Sequence, residues 1–384
     1  MKKPTIGIVT FYFSDNYGAA LQSWALQRWF NKNGCDARFV PYHPAHVEEG
    51  GDFFVPRCQS DFRKLAKVVY LKISFLRNKY FGDKIQGRRF SIFRKNSLGI
   101  SSESYRNRDE MKAAKLNYQL VVCGSDQIWN PSDQYGVDSV YYGDVPTLNP
   151  ARTISYAASF GTSSVGERWL PDIKRNVERL DAVSVREPYA VDLLERSANV
   201  NSMLVPDPVI LLGYFDDLLK ESEAMEDIGI FCYSLRTDNG TRQLSSALNN
   251  KYGCGIVSPH NPHRRWPEIG QTLYCGPCEW VMALSKAKFV VTNSFHGVAF
   301  SILFKKNFVA VGLSGGKEGL NDRMLSLLKS CNLMDRFVEA ANAVSALPLF
   351  ERAINWQDAT DYIKASQSSA GDWLKKQIEL SAHD

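Results

Sequence analysis

The sequence predicts an α/β protein of two Rossmann-like domains. Its 384 residues exceed the roughly 250 to 300 at which one hydrophobic core stops growing. Short apolar runs alternate with stretches whose apolar residues recur at helical spacing, the pattern of β-α-β units. Most of the apolar runs also break into polar or glycine-containing residues, as strands do where their carboxyl ends meet ligand-bearing loops.

Thr5 to Phe13 reads as the first strand, Ser14 to Gly18 as a turn, and Ala19 to Asn31 as a helix with Leu21, Trp24, Ala25, Arg28 and Trp29 on one side. Cys35 to Val40 is a second strand, and Leu116 to Cys123, Thr153 to Ala157 and Ala182 to Val185 continue the sheet. After Pro206-Asp207-Pro208 and a helix from Tyr214 to Glu223, new strands run over Ile228 to Ser234, Gly255 to Ser258, Phe289 to Thr292 and Phe308 to Gly312. Helices over Glu279 to Lys286 and Val298 to Phe304 lie between them. The domains are therefore set at 1–224 and 225–384, with a basic helical insertion at about 45–100 and amphipathic helices after Leu347 available to pack back on the first domain.

With 44% hydrophobic and 23% charged residues the composition is that of an ordinary globular protein. The net charge of +5 is unevenly spread. Between Phe62 and Lys95 stand eleven Lys or Arg and a single acid, Asp83, so the remainder is net acidic. Such a basic amphipathic segment suits an anionic membrane surface or an anionic acceptor at that surface; the other reading is a solvated insertion. Nucleic acid is excluded as a partner, because the positive charge is local and no binding motif accompanies it. Lys2 and Lys3 precede an apolar run that meets Asp15 and Asn16 without a cleavage pattern, so it reads as a strand and not a signal peptide. No run is long enough to span a bilayer. The eight cysteines lack framework spacing, which fits reduced thiols in a cytoplasmic protein.

The segment Lys288-Phe-Val-Val-Thr-Asn-Ser-Phe-His296 puts a histidine at a strand-to-helix turn, where a helix start offers N–H groups to anions. Either Asn293 and Ser294 merely cap the helix there, or His296 serves a ligand. Arg186 follows a strand in Ser184-Val-Arg-Glu-Pro188; its fork suits a carboxylate or phosphate, or else a structural pair with Glu187 or Asp207. Arg323 follows a glycine-rich loop carrying Lys317 that could close over an anion. Cys275-Gly-Pro-Cys278 reads as a structural helix start more readily than a redox dithiol, given Pro277 and Glu279. His260 and His263 lack the further ligands of a zinc site, so no metal is expected. Dinucleotide, Walker and nucleophile-elbow motifs are all missing, which argues against nucleotide-dependent redox, P-loop and α/β-hydrolase chemistry.

Seven segments in order resemble the polysaccharide pyruvyl transferase family: Asn16-Tyr-Gly-Ala-Ala-Leu-Gln22, Gly124-Ser-Asp-Gln-Ile-Trp129-Asn-Pro, Ser155-Tyr-Ala-Ala-Ser, Ser184-Val-Arg-Glu, Asp207-Pro208, Gly276-Pro to Trp280, and Thr292 to Gly297. The resemblance implies a GT-B-like fold, two domains facing across a cleft that holds the site. It implies a reaction in which phosphoenolpyruvate places a pyruvate ketal across two hydroxyls of a sugar, of galactose type, on a lipid-linked polysaccharide precursor at the inner face of the membrane. No cofactor is needed, since phosphoenolpyruvate is a co-substrate.

Such chemistry requires a group that exchanges protons near neutral pH and a clamp for two anionic groups. Histidine suits the first task, which makes His296 and Arg186 the expected catalytic residues. Arg186, Asn293, Ser294, Lys317 and Arg323 are the expected donor contacts. Several family members carry Arg-Leu-His where this chain has Ser294-Phe295-His296, so the clamp here falls to Arg323, Lys317 or Arg264. Asn16, Tyr17, Ser125, Asp126, Gln127 and Trp129 are the expected acceptor contacts, with the indole stacking on a sugar face; turn chemistry around a buried tryptophan is the competing reading. A nucleotide-sugar glycosyltransferase and a non-catalytic glycan-binding relative are the alternative functions.

Overall fold

The computed structural model describes residues 3–48, 69, 73, 84–100, 104–132, 136–146, 148–221, 225–236, 238–261, 268–313, 319 and 321–382. They divide into two units. The first takes the described residues of Met1–Gly82, Arg94–Leu212 and Ser369–Asp384, and the second those of Asp83–Phe93 and Gly213–Ser368.

In the first unit β1 (Thr5–Val9), β2 (Asp36–Phe39), β3 (Leu120–Cys123) and β4 (Arg152–Ser155) form a sheet in the order β2-β1-β3-β4. Every pairing is parallel, with Ile6 opposite both Ala37 and Leu120. Parallel neighbours need crossover connections, and the Tyr17–Lys32 helix supplies the one between β1 and β2. β5 (Val183–Val185) and β6 (Ser202–Leu204) pair in parallel, and single bridges join Ile154 to Ala182 and Ala158 to Val185. Leu120 to Cys123 are all fully buried, as expected of a strand covered on both faces.

The expected strand Thr5 to Phe13 ends at Val9. The residues beyond it are apolar for another reason: Phe11 packs on Tyr141, Tyr12 on Phe39 and Phe13 on His43. Three rings buried by a loop mimic a strand in the sequence.

In the second unit β7 (Ile228–Tyr233), β8 (Ile256–Pro259), β9 (Gln271–Leu273), β10 (Ala287–Thr292), β11 (Asn307–Val311) and β12 (Phe337–Val338) form a sheet in the order β12-β11-β10-β7-β8-β9, parallel throughout. Ile230, Phe289, Val291, Val309 and Val311 cluster with Leu244, Leu248 and Phe350. The intervening Phe231 points the other way, where it meets Trp280 with ring centroids 5.6 Å apart; Trp280 in turn meets Phe300 at 5.3 Å. The sheet therefore has an apolar layer on each face.

The long Gln357–Leu380 helix belongs to the second unit up to Ser368 and to the first from Ser369. In the first unit its Gln377 accepts a hydrogen bond from Arg152 Nε at 2.9 Å. Part of the basic segment also has internal duties: in the Lys84–Asn96 helix, Arg89 pairs with Glu279 at 2.6 Å and Arg94 with Asp15 at 2.6 Å. Most of residues 62–83 lie outside the described residues. No described helix is long and apolar enough to cross a membrane.

Candidate active site

Each strand order reverses once. In the second unit the chain proceeds from β7 outward to β8 and β9, then returns to β10 on the other side of β7. Loops that leave such a switch point diverge and open a crevice at the carboxyl ends of the strands. The first unit has its switch point between β1 and β3. The expected site residues His296, Asn293 and Ser294 flank the former, and Asn16, Tyr17, Ser125 and Asp126 the latter.

At the second unit's switch point Thr292 is paired with Tyr233 in register, and its Oγ1 donates to the Tyr233 carbonyl at 2.6 Å. The same Oγ1 accepts from Ser294 N–H at 3.1 Å, which turns the chain. Asn293 then ties the two diverging loops. Its Oδ1 accepts from Leu235 N–H at 2.7 Å, and its Nδ2 donates to the Arg236 carbonyl at 2.9 Å and to Asp238 Oδ2 at 3.3 Å. Asp238 caps the Asn239–Tyr252 helix. Asn293 is thus a bracket whose amide is used within the protein, and not an open donor contact.

Ser294 is the N-cap of the Phe295–Leu303 helix, accepting from Gly297 N–H at 3.5 Å. The helix begins three residues earlier than the spacing predicts, because the serine cap outweighs the weak helical propensity of Phe295 and His296. His296 therefore lies in the first turn of the helix, not in the turn before it. A Cβ on Gly297 would fall 2.3 Å from Thr292 Oγ1, so only glycine lets the helix pack this closely against β10. His296 is 8% exposed, and its ring meets Phe295 edge-on, 5.2 Å between centroids at 85°. The Arg323 guanidinium lies 5.9 Å from the centroid of the same Phe295 ring. Asn321 bonds both the N–H and the carbonyl of Leu313, at 2.9 and 3.1 Å, and so closes the base of the glycine-rich loop. Lys317 and Arg264 lie outside the described residues, as does His263; His260 packs against Tyr274.

In the first unit Asn16 caps the Tyr17–Lys32 helix, accepting from Ala19 N–H at 3.1 Å, and Tyr17 is buried. Gln22 donates to Thr10 Oγ1 at 3.0 Å, and Thr10 donates to the Ser125 carbonyl at 2.8 Å, joining the loops that follow β1 and β3. Ser125 Oγ donates to the Ala157 carbonyl at 3.0 Å. Asp126 holds a φ of 78° and accepts from Gln127 N–H at 2.9 Å; both side chains are half-buried. Trp129 is not an open platform. It is 1% exposed, stacks on Tyr142 at 4.8 Å and donates from Nε1 to the Tyr141 carbonyl at 2.9 Å. The indole serves the core because both its face and its N–H are already satisfied.

Arg186 is buried in an ion pair with Asp207, with Glu187 Oε1 3.5 Å from its Nε. Glu187 in turn accepts from Ser159 Oγ. Burial works against the charge, but Asp207, Glu187 and Asp126 together raise the guanidinium pKa. With three acids around it, this cation is balanced by its own unit, which disfavours a further anion. Sequence spacing offered this structural pair as one of two readings, and the tertiary arrangement favours it. Sequence reasoning missed Asp238 and Phe295; an Asp before Asn-Gly-Thr was a legible cap signal for the first, and nothing marked the second.

Cys275 is buried and Cys278 half-buried, and neither is in a disulfide. Glu279 Oε2 accepts from Gly276 N–H at 2.9 Å and Pro277 opens the helix, so the motif builds a helix start.

Parallel sheets whose polar loops and helix starts lie at switch points define an α/β protein of the doubly wound kind. The chain belongs to the polysaccharide pyruvyl transferase family, whose model matches residues 16–315; it is thus a member of a transferase family of polysaccharide biosynthesis. No curated protein sequence matches it. Among solved structures it is similar to UDP-N-acetylglucosamine 2-epimerase from Rickettsia bellii, at 10% identity over 100% of this chain and 97% of that one, TM-score 0.49. It is also similar to UDP-GlcNAc 2-epimerase from Methanocaldococcus jannaschii, at 9% identity over 97% and 100%, TM-score 0.47. A glycosyltransferase from Rickettsia africae is similar at 10% identity over 99% and 96%, TM-score 0.42. Likenesses at this level carry no inference about substrate.

Proposed function

We propose that this chain moves the enolpyruvyl group of phosphoenolpyruvate onto two hydroxyls of one sugar, of galactose type, in a lipid-linked polysaccharide precursor. The observation that carries the proposal is His296 in the first turn of a helix at a strand switch point, in a chain of this family. The reaction begins when the enol carbon gains a proton, and the oxocarbenium-like centre that results is attacked by a hydroxyl. His296 is the proton donor in this reading. Arg323, Lys317 and the first-turn amides of the Phe295–Leu303 helix hold the donor's anionic groups. Asn293 and Ser294 shape that turn, and Arg186 positions the Asp207 turn. The acceptor falls to the loops after β1 and β3, where Asn16, Asp126 and Gln127 are half-buried polar residues. The transfer is redox-neutral and needs no cofactor. The basic segment at 62–95 makes peripheral contact with an anionic membrane surface, which salt-dependent vesicle binding of variants between Arg63 and Lys79 checks.

The test incubates the chain with phosphoenolpyruvate and a panel of lipid-linked galactosides, following phosphate release together with the ketal methyl resonance. Transfer is expected, with His296→Ala lowering it by about 10²-fold or more at an unchanged melting temperature. Transfer from a nucleotide sugar alone, or near-normal turnover by the variant, overturns the reading or the role of His296 respectively.

A further inference from the structure

A second titratable cluster lies in the first unit, where the chain leaves β2. Tyr42 Oη donates to Asp138 Oδ2 at 2.7 Å. Asp138 Oδ1 accepts from Val140 N–H at 3.0 Å, capping the 3-10 turn Ser139–Tyr142. Both carboxylate oxygens are therefore fixed. His46 faces the same carboxylate, its Nε2 3.6 Å from Asp138 Oδ2. Among the described residues that nitrogen is buried and without a hydrogen-bond partner, while the side chain keeps 29% of its surface. One edge of the imidazole faces a fixed carboxylate, while the side chain as a whole is partly exposed. Hydrogen bonds of catalytic groups are often long in the absence of substrate and tighten in the substrate or transition-state complex.

The loop after β1 comes to the same place: Phe13 stacks on His43, ring centroids 4.0 Å apart, and Tyr42 packs on Tyr141, which also meets Phe11. The cluster thus lies at the carboxyl ends of the first unit's strands, where α/β sheets bind ligands. Burial lowers the pKa of the His46 imidazole, against the pull of Asp138, which favours the neutral ring.

We infer that His46, aligned by Asp138 and Tyr42, binds a hydroxyl of the glycan acceptor and takes its proton, an inference that rests on the pyruvyl-transfer reading above. In that step the acceptor O–H bond breaks, its oxygen forms the new C–O bond to the former enol carbon, and the proton passes to His46. Over the whole reaction one hydroxyl proton ends on the new methyl group and the other on the released phosphate, so atoms and charge balance without oxidant or reductant. His46 is the catalytic residue in this assignment. Asp138 and Tyr42 are positioning residues.

The experiment uses the full chain, phosphoenolpyruvate and a panel of p-nitrophenyl glycosides that includes a β-galactoside. His46→Gln is expected to lower kcat for the acceptor by about 10² to 10⁴-fold, with the melting temperature and its shift by phosphoenolpyruvate unchanged. Among the described residues the charged group facing His46 is Asp138, with Tyr42 and Asp144 behind it. Asp138→Asn removes the carboxylate that favours the imidazolium, so the acid limb of the kcat/KM profile moves to lower pH, which a merely structural role would not cause. Tyr42→Phe loses rate by a smaller factor. Turnover of His46→Gln within about threefold of the parent chain, or an unmoved acid limb in Asp138→Asn, overturns the assignment. If His46→Gln does not fold, the Asp138→Asn profile decides. A parent chain that transfers pyruvate neither to these glycosides nor to the lipid-linked galactosides fails the reading on which the assignment rests, and the assignment with it.

Discussion

The Arg323 guanidinium and the His296 imidazole share one neighbour, the Phe295 ring, at 5.9 and 5.2 Å from its centroid. A cation over an aromatic face is held by about 0.5–1 kcal/mol at an accessible site, so the phenyl ring sets where the guanidinium rests. This couples the residue proposed to hold the donor to the residue proposed to protonate it.

Arg323→Ala is expected to raise KM for phosphoenolpyruvate by about tenfold or more, the worth of a charge-assisted contact. Phe295→Leu should give a smaller rise in the same constant, because it keeps the arginine and loses its anchor. Steady-state kinetics of both variants decide the matter; an unchanged KM in Arg323→Ala removes that residue from the donor site.

Asn293 holds three groups of the loop after β7. Asn293→Ala leaves the Leu235 N–H without its acceptor, at an expected cost of about 1–3 kcal/mol in urea denaturation. Asn293→Asp keeps that acceptor but sets a carboxylate beside Asp238, so its deficit should grow as pH rises through the carboxylate range. Equal stability of the two variants at every pH would contradict the bracket.

Arg186→Met should destabilise by about 3–5 kcal/mol, because it leaves Asp207 and Glu187 buried without their cation. The double variant with Asp207→Asn should recover part of that loss. A single variant that folds as stably as the parent, yet no longer binds phosphoenolpyruvate, would instead make Arg186 a donor contact.

Burial alone pushes the Asp144 carboxyl up, but hydrogen bonds from Arg108, Arg179 and Ser139 bring it down to about 2, with both arginines at 2.9 Å. A depressed carboxylate stabilises the fold above its unfolded pKa and loses that contribution as pH falls through the folded value. The stability gap between the parent chain and Asp144→Asn should therefore be full above about pH 4 and close toward about pH 2. A gap independent of pH would show that charge is not its source.

Strand cores were legible where apolar runs are long: Phe289 to Thr292 and Ile228 to Ser234 lie within two residues of β10 and β7. β9 escaped because Gln271–Leu273 is a three-residue edge strand carrying two polar residues. Helix starts shifted where a cap decides them, as Ser294 does for the helix bearing His296. Trp129 carries the same sequence signal whether it faces a sugar or Tyr142, since an apolar ring beside polar residues says nothing about which surface it meets.

The sequence by itself determined the α/β class and the family and put His296 at a strand-to-helix turn, because periodicity and ordered motifs are local. Only the tertiary structure decided that Arg186 answers to Asp207 and Glu187, that Asn293 braces the loop after β7, and that Tyr42 and His46 meet Asp138. Tyr42 and Asp138 stand 96 residues apart. Such partners are chosen when parallel strands bring their carboxyl ends to one edge, and burial then forces each polar group to find whichever partner the packing has placed within reach.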